Sequence, residues 1–275
     1  MYFACCSKKN TYLCARFEMI MYNHLAQLHQ KLLFTKEDVI VITGSKDRAS
    51  ALLLNFQSKG LISKVRRNLY CVVNLATHIP EASKMQVASA VSPSSAIAYH
   101  SALEYHGFAH QVFFEMNVIS DTRFIPFEYD GIRYNYLHNP IPNGIVVPPS
   151  DYKIRVTNIE RTILDCIDRI DLCGGVEELI YSLTSVQYVD SHLLADYLKA
   201  YGKVALYKKA GYIFTLLKDF VHLPEEILSI CHDQGSRSTA VLTTIEPCTL
   251  YIKEWKLYVP QNITTYMDNS NYGNV

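Results

Sequence analysis

The densest group of ionisable side chains is ERTILDCIDR, residues 160–169, which sets Glu160, Arg161, Asp165, Asp168 and Arg169 close together. On a helix, Arg161 and Asp165 stand four apart and pair, while Asp165 and Asp168 stand three apart, close enough to share a cation. Two carboxylates hold a metal or do acid–base work only when a third ligand or a base converges on them. No such partner stands at a readable spacing. A structural ion-pair network is therefore the stronger reading, and a metal-dependent enzyme acting on nucleic acid is the alternative. Eight cysteines form no CxxC and no Cys/His pair with zinc-finger spacing. His100 and His106 are six apart, on nearly opposite faces of a helix. TGSKD, residues 43–47, has the Gly-Ser of a nucleotidyltransferase helix start, but the β-prone run after that helix, LISKV, carries no acid to hold Mg²⁺. It is no P-loop either. Neither a cofactor nor a metal is expected.

The second group is cationic. In LISKVRRNLYCVV, residues 61–73, Lys64, Arg66 and Arg67 interrupt an apolar run. Lys46 and Arg48 open the helical stretch just before it. Lys and Arg at such places meet phosphates, and Arg also reads guanine edges. Asp47 and Ser50 fall near the face opposite Ala49, Leu53 and Phe56, as does Leu54, which would touch a thymine methyl or another protein surface.

These side chains need a scaffold. Apolar spacing predicts a helix over residues 17–33. Thr35 is the expected N-cap of a second helix that Gly44 stops. Ser45 is the expected cap of a third, running to Gly60. LISKV and LYCVV then form a hairpin, with Asn68 tolerating the positive φ of its turn. Helix, helix, turn, helix, hairpin is the order of a winged helix-turn-helix, whose later helix lies in the DNA major groove with its N-terminal residues nearest the base edges. A vestigial winged helix used for protein contacts would show no basic face over residues 46–67.

Further along, residues 92–107 read as a helix stopped by Gly107, VFFEMNVIS as a strand, and FIPFEYDGIRYNYLH as a hairpin turning at Asp130-Gly131. A strand is expected at 152–156. Thr157 and Glu160 make a capping box for the helix that carries the acids. Three more helical stretches follow Gly174-Gly175, then a β-rich segment, 238–260.

The 275 residues are ample for two domains, and 49% of them are apolar, which argues for packed cores. The formal net charge is zero, but residues 1–75 hold 11 Lys+Arg against 4 Asp+Glu, and residues 76–275 hold 15 against 22. A basic module on an acidic body suits a polyanionic partner. Apolar runs are only a few residues long and the first residues do not follow signal-peptide order, so a cytoplasmic protein with free thiols and no membrane contact is expected.

The series VRRNLY, SALEYHG (101–107), VTNIERTILDCIDRIDLCGG (156–175) and KKAGYIFTLL (208–217) resembles the AbiEi family of antitoxins, from bacterial abortive-infection (type IV) toxin–antitoxin systems. The likeness runs over residues 18–262, and T-x-x-E-R-T-x-L-D-x-x-D-R with its later Gly-Gly is its most specific part. The family usually has Gly where this chain has Asn68 and Pro where it has Ile159. The resemblance implies an α+β protein: an N-terminal winged helix-turn-helix domain plus a larger mixed α/β C-terminal antitoxin domain. The expected layout is a flexible tail (1–17), the winged domain (18–75), a connector (76–92), the antitoxin domain (93–262) and a loose polar tail (263–275). It further implies a non-enzymatic repressor that binds inverted repeats in its own operon and counteracts a nucleotidyltransferase-like toxin without a stable complex. Operator DNA would then be bound by a monomer or by a DNA-induced dimer. The DNA-binding set would be Ser45, Lys46, Asp47, Arg48, Ser50, Lys64, Arg66, Arg67 and Asn68. Thr157, Glu160, Arg161, Asp165, Asp168 and Arg169 would form the shared structural motif.

Overall fold

The computed structural model describes residues 8–221, 225–234 and 238–270, which divide into two compact units, residues 1–87 and 88–275. The first unit opens with α1 (Lys8–Lys31) and β1 (Leu33–Phe34). The helix begins well before residue 17, so the expected tail shrinks: residues 8–17 continue α1, and residues 1–7 lie outside the described residues. Local chemistry then sets α2 (Lys36–Thr43). Thr35 and Asp38 form a reciprocal capping box at its start. Gly44, at φ 68°, closes its end by donating its N–H to the Ile40 carbonyl. Ser45 alone separates that glycine from α3 (Lys46–Ser58). Ser45 occupies the N-cap position as expected, yet its hydroxyl makes no capping bond. The hairpin β2 (Ile62–Arg66) and β3 (Leu69–Val72) follows, and β1 pairs antiparallel with β3 to give the sheet order β1-β3-β2. Leu28, Phe34, Val39, Ala49, Leu53, Phe56 and Ile62 fill the core between helices and sheet.

α4 (Lys84–Ala90) is the helical middle of the expected connector. In the second unit, β4 (Ala96–Ile97) precedes α5 (His100–His106), which Gly107 caps in the left-handed region. The single helix expected over 92–107 is thus confined to its second half, because Ala96 and Ile97 pair with Ile119 and Val118 as a short strand. β5 (Glu115–Ser120), β6 (Phe127–Tyr129) and β7 (Ile132–His138) include the expected hairpin, with Asp130 and Gly131 both at positive φ. β8 (Ile145–Val146) and β9 (Val156–Thr157) complete a six-stranded mixed sheet of order β6-β7-β5-β4-β9-β8. The strand expected at 152–156 is reduced to this later pair, held by Ile97 and by β8.

α6 (Ile159–Asp168), α7 (Val176–Thr184), α8 (Ser191–Tyr201) and α9 (Val204–Leu216) share one core with the sheet. α10 (Glu225–Asp233) packs on α8 and α9. A small sheet of order β10-β12-β11 follows, from β10 (Ala240–Val241), β11 (Leu250–Ile252) and β12 (Leu257–Val259). The chain beyond 262 is not a loose tail. Its first part is α11 (Ile263–Ser270), which packs against α7 with Ile263 fully buried; residues 271–275 lie outside the described residues. The architecture is mixed α+β, and no described helix is long and apolar enough to cross a membrane.

Candidate nucleic-acid interface

In α3, the core takes Ala49, Leu53 and Phe56, which leaves Lys46, Asp47, Arg48 and Leu54 exposed. Ser50 is half-buried and donates its hydroxyl to the Lys46 carbonyl at 2.8 Å, a bond one turn back along the helix. In the hairpin, Lys64 pairs across the ladder with Tyr70 and is exposed, and Arg67 stands exposed at the turn. The four cations Lys46, Arg48, Lys64 and Arg67 form no ion pair with any described residue. Elsewhere in the unit Lys31 is paired with Asp38.

Two hairpin residues depart from their expected role. The strand register shifts between Lys64 and Arg66, where Val65 enters the core. Beyond this bulge Arg66 is half-buried, and burial holds its guanidinium below its usual range. It therefore belongs partly to the fold. Asn68 sits at φ 63° as the turn requires, but its side chain faces the start of α2. Its Oδ1 accepts from the Lys36 N–H at 3.1 Å and its Nδ2 donates to Glu37 at 2.7 Å. This amide is committed to closing a helix N-terminus. The bond from Asn68 is the main reason the Glu37 carboxyl lies below its ordinary value.

No protein-family model matches the chain, and no curated protein matches it. The fold has a solved neighbour. A crystal structure of the RV2827C protein from Mycobacterium tuberculosis superposes with a TM-score of 0.59 over 92% of this chain and 95% of that one, at 11% identity. The likeness is one of fold.

The acidic motif of the second unit is built as a buried network. Asn158, rather than Thr157, caps α6, its side chain accepting from the Arg161 N–H at 3.1 Å. Thr157 belongs to β9, and its hydroxyl meets that of Thr162 at 2.7 Å. The expected capping box is absent; the Glu160 carboxylate accepts instead from the Asp190 N–H at 3.0 Å. Arg161 is fully buried. It donates to the carbonyls of Ile141 (2.9 Å) and Asn143 and to the Asn139 side chain (2.7 Å), and its Nε lies 3.4 Å from Asp165. Gly144 makes this possible, since a Cβ there would stand 2.7 Å from the Arg161 side chain.

Burial pushes the Asp165 carboxyl up to about 6, against the opposing pull of Arg161 and of the Tyr201 hydroxyl that donates to it. Asp168 pairs with Lys203 at 2.6 Å, and Arg169 forks onto Asp171 at 2.8 and 2.6 Å. The two aspartates take different partners, and the described residues contain no group of three His, Cys, Asp or Glu placed to hold a metal ion. Sequence spacing found the Arg161–Asp165 pair. It missed Tyr201, Lys203, Asn139 and Asp190, which lie 20 or more positions away and carry no local signal.

Proposed function

We propose that the first unit is a winged helix-turn-helix that binds duplex DNA, with α3 as the reading helix and the β2–β3 hairpin as a short wing. The order α1-β1-α2-α3-β2-β3 and the sheet order β1-β3-β2 suit that reading. The observation that carries it is the set of four exposed cations without acidic partners among the described residues, two opening α3 and two on the hairpin that follows it. Cations at the start of the reading helix and on the hairpin that follows it suit contacts to phosphates. Lys46, Asp47 and Arg48 are the residues presented to base edges. Together with the AbiEi resemblance, this supports reading the chain as a cytoplasmic, AbiEi-type antitoxin. It binds inverted repeats in its own operon as two copies and counteracts a nucleotidyltransferase-like toxin through its second unit.

Fluorescence anisotropy tests the DNA step, using labelled duplexes tiled over the region upstream of its own coding sequence and shuffled duplexes of equal length. Lys64→Ala combined with Arg67→Ala is expected to weaken binding to every duplex and to flatten the log–log salt slope by about 2 per bound copy. Arg48→Ala is expected to act mainly on the preferred duplex. Unchanged affinity and slope in the double variant would remove the wing assignment. For the antitoxin step, co-expression with a neighbouring nucleotidyltransferase is expected to restore growth, and persistent toxicity would count against it.

A further inference from the structure

Beside the reading helix lies an open cavity of about 560 Å³, within the usual range for small-molecule sites. It is set among α1, the end of α2 and one flank of α3. Met21, Ile42, Leu52 and Ala51 give it apolar walls, and the short side chains of Ala51 and Thr43 leave the space unfilled. Thr43 directs its hydroxyl to the Val39 carbonyl at 2.8 Å. His24, half-buried, is the other titratable group on the wall.

Two polar groups of α3 define what such a cavity would accept. Among the described lining residues Arg48 is the one guanidinium, it has no ion-pair partner among described residues, and none of the described lining residues is acidic. Seven residues along, Asn55 lines the same cavity with its Oδ1 sealed from water and without a donor among the described residues. A buried acceptor without a donor is unfavourable, so a ligand N–H or O–H toward which the amide turns would relieve it. Two helical turns separate the residues, roughly 10 Å of axial rise. A ligand serving both must carry its anion and its donor at opposite ends of an apolar body. The planar fork of Arg48 suits a carboxylate.

We propose that this cavity binds a small aryl carboxylate bearing a hydroxyl or amine on the far side of its ring, and that occupancy releases DNA. Arg48 lies at the border between cavity and outward face, so it cannot hold the carboxylate and a base edge or phosphate at once. The site stands without the DNA-binding reading; the release rests on it.

Calorimetry on the DNA-free full chain tests the site with three probes: para-hydroxyphenylpropionate, phenylpropionate, which lacks the distal donor, and tyrosol, which lacks the carboxylate. The first is expected to bind one per chain, about tenfold tighter than either of the others. Asn55→Leu is expected to abolish the preference for the hydroxyl, and Arg48→Gln the preference for the carboxylate. Asn55→Asp keeps the side chain's size and its acceptor and is expected to retain the preference for the hydroxyl, so the test survives misfolding of the leucine variant, which circular dichroism would reveal. Absence of saturable heat with all three probes, or identical affinities across the variants, overturns the site. With labelled duplex present, saturating para-hydroxyphenylpropionate is expected to weaken DNA binding about tenfold in the unaltered chain and not in Asn55→Leu. Calorimetric binding with unchanged DNA affinity overturns the release. If no duplex binds at any salt concentration, the DNA reading falls while calorimetry still decides the site.

Discussion

Asn68 carries two tasks in one side chain. Its backbone holds φ 63°, which a residue with a Cβ adopts at some strain, and its amide bonds both the Lys36 N–H and the Glu37 carboxylate at the start of α2. Asn68→Ala loses both and is expected to lower unfolding stability by about 1–2 kcal/mol. Asn68→Gly loses the bonds but gains backbone freedom and is expected to lower it less. Urea melts of the two variants check the order, and equal losses would remove the capping role. At Asp165 the effect depends on pH. Burial raises the folded carboxyl to about 6 from an ordinary 3.8. The folded chain therefore holds an extra proton between those values, and this group's contribution to stability falls as pH rises through that window. Asp165→Asn has no such dependence. Its destabilisation, measured by urea unfolding, is expected to be smaller by about 1 kcal/mol near pH 7.5 than near pH 5. A pH-independent difference would mean that Arg161 and Tyr201 fully compensate the burial.

At the scale of elements, the packing of α9 against Trp255 is the tightest contact in the second unit that a single methyl would break. A Cβ on Gly211 would overlap the benzo ring of Trp255, which is itself buried and stacked on His232. Alanine is ordinarily the better helix former, so an exposed Gly→Ala change would stabilise. Here Gly211→Ala is expected to destabilise by about 1–3 kcal/mol, and Trp255→Leu in the same chain to recover part of the loss. Thermal melts decide it, and a stabilised single variant would show that Trp255 moves freely. Elements with local chemical stops are legible in the sequence: Thr35 and Gly44 around α2, Gly107 and Gly202 after α5 and α8, Asp130-Gly131 between β6 and β7. The two-residue strands are not, because β4, β8 and β9 exist only through partners far along the chain. The same competition moves the α6 cap. Thr157 and Asn158 are both good caps, and pairing of Thr157 with Ile145 leaves the position to Asn158. α11 is short and mostly polar and is anchored by the buried Ile263. In the candidate interface, Lys64 and Arg67 are legible as exposed cations. The half-burial of Arg66 follows from a bulge that residue types alone do not announce.

Over the whole chain, charge is segregated. The protein is neutral at pH 7 with a pI near 7.1, yet its first 75 residues carry a net +7 and the remainder a net −7. Long-range attraction to DNA cannot then come from net charge and must come from a local field, strongest where cations lack acidic partners. At the start of α3 and on the hairpin, the cations that form no ion pair with a described residue are Lys46, Arg48, Lys64 and Arg67. A neutral protein with evenly mixed charges would pass both kinds of ion exchanger near its pI. This chain is expected to be retained by both at low salt, each sign of patch finding its own matrix. Lys64→Ala with Arg67→Ala is expected to elute earlier from the cation exchanger, since it removes two of the four cations on the proposed DNA-binding face, and to leave the anion exchanger after the unaltered chain. Flow-through of the unaltered chain on the cation exchanger would show that the four cations do not act as one surface. The electrostatic basis of the DNA-binding reading would fall with it.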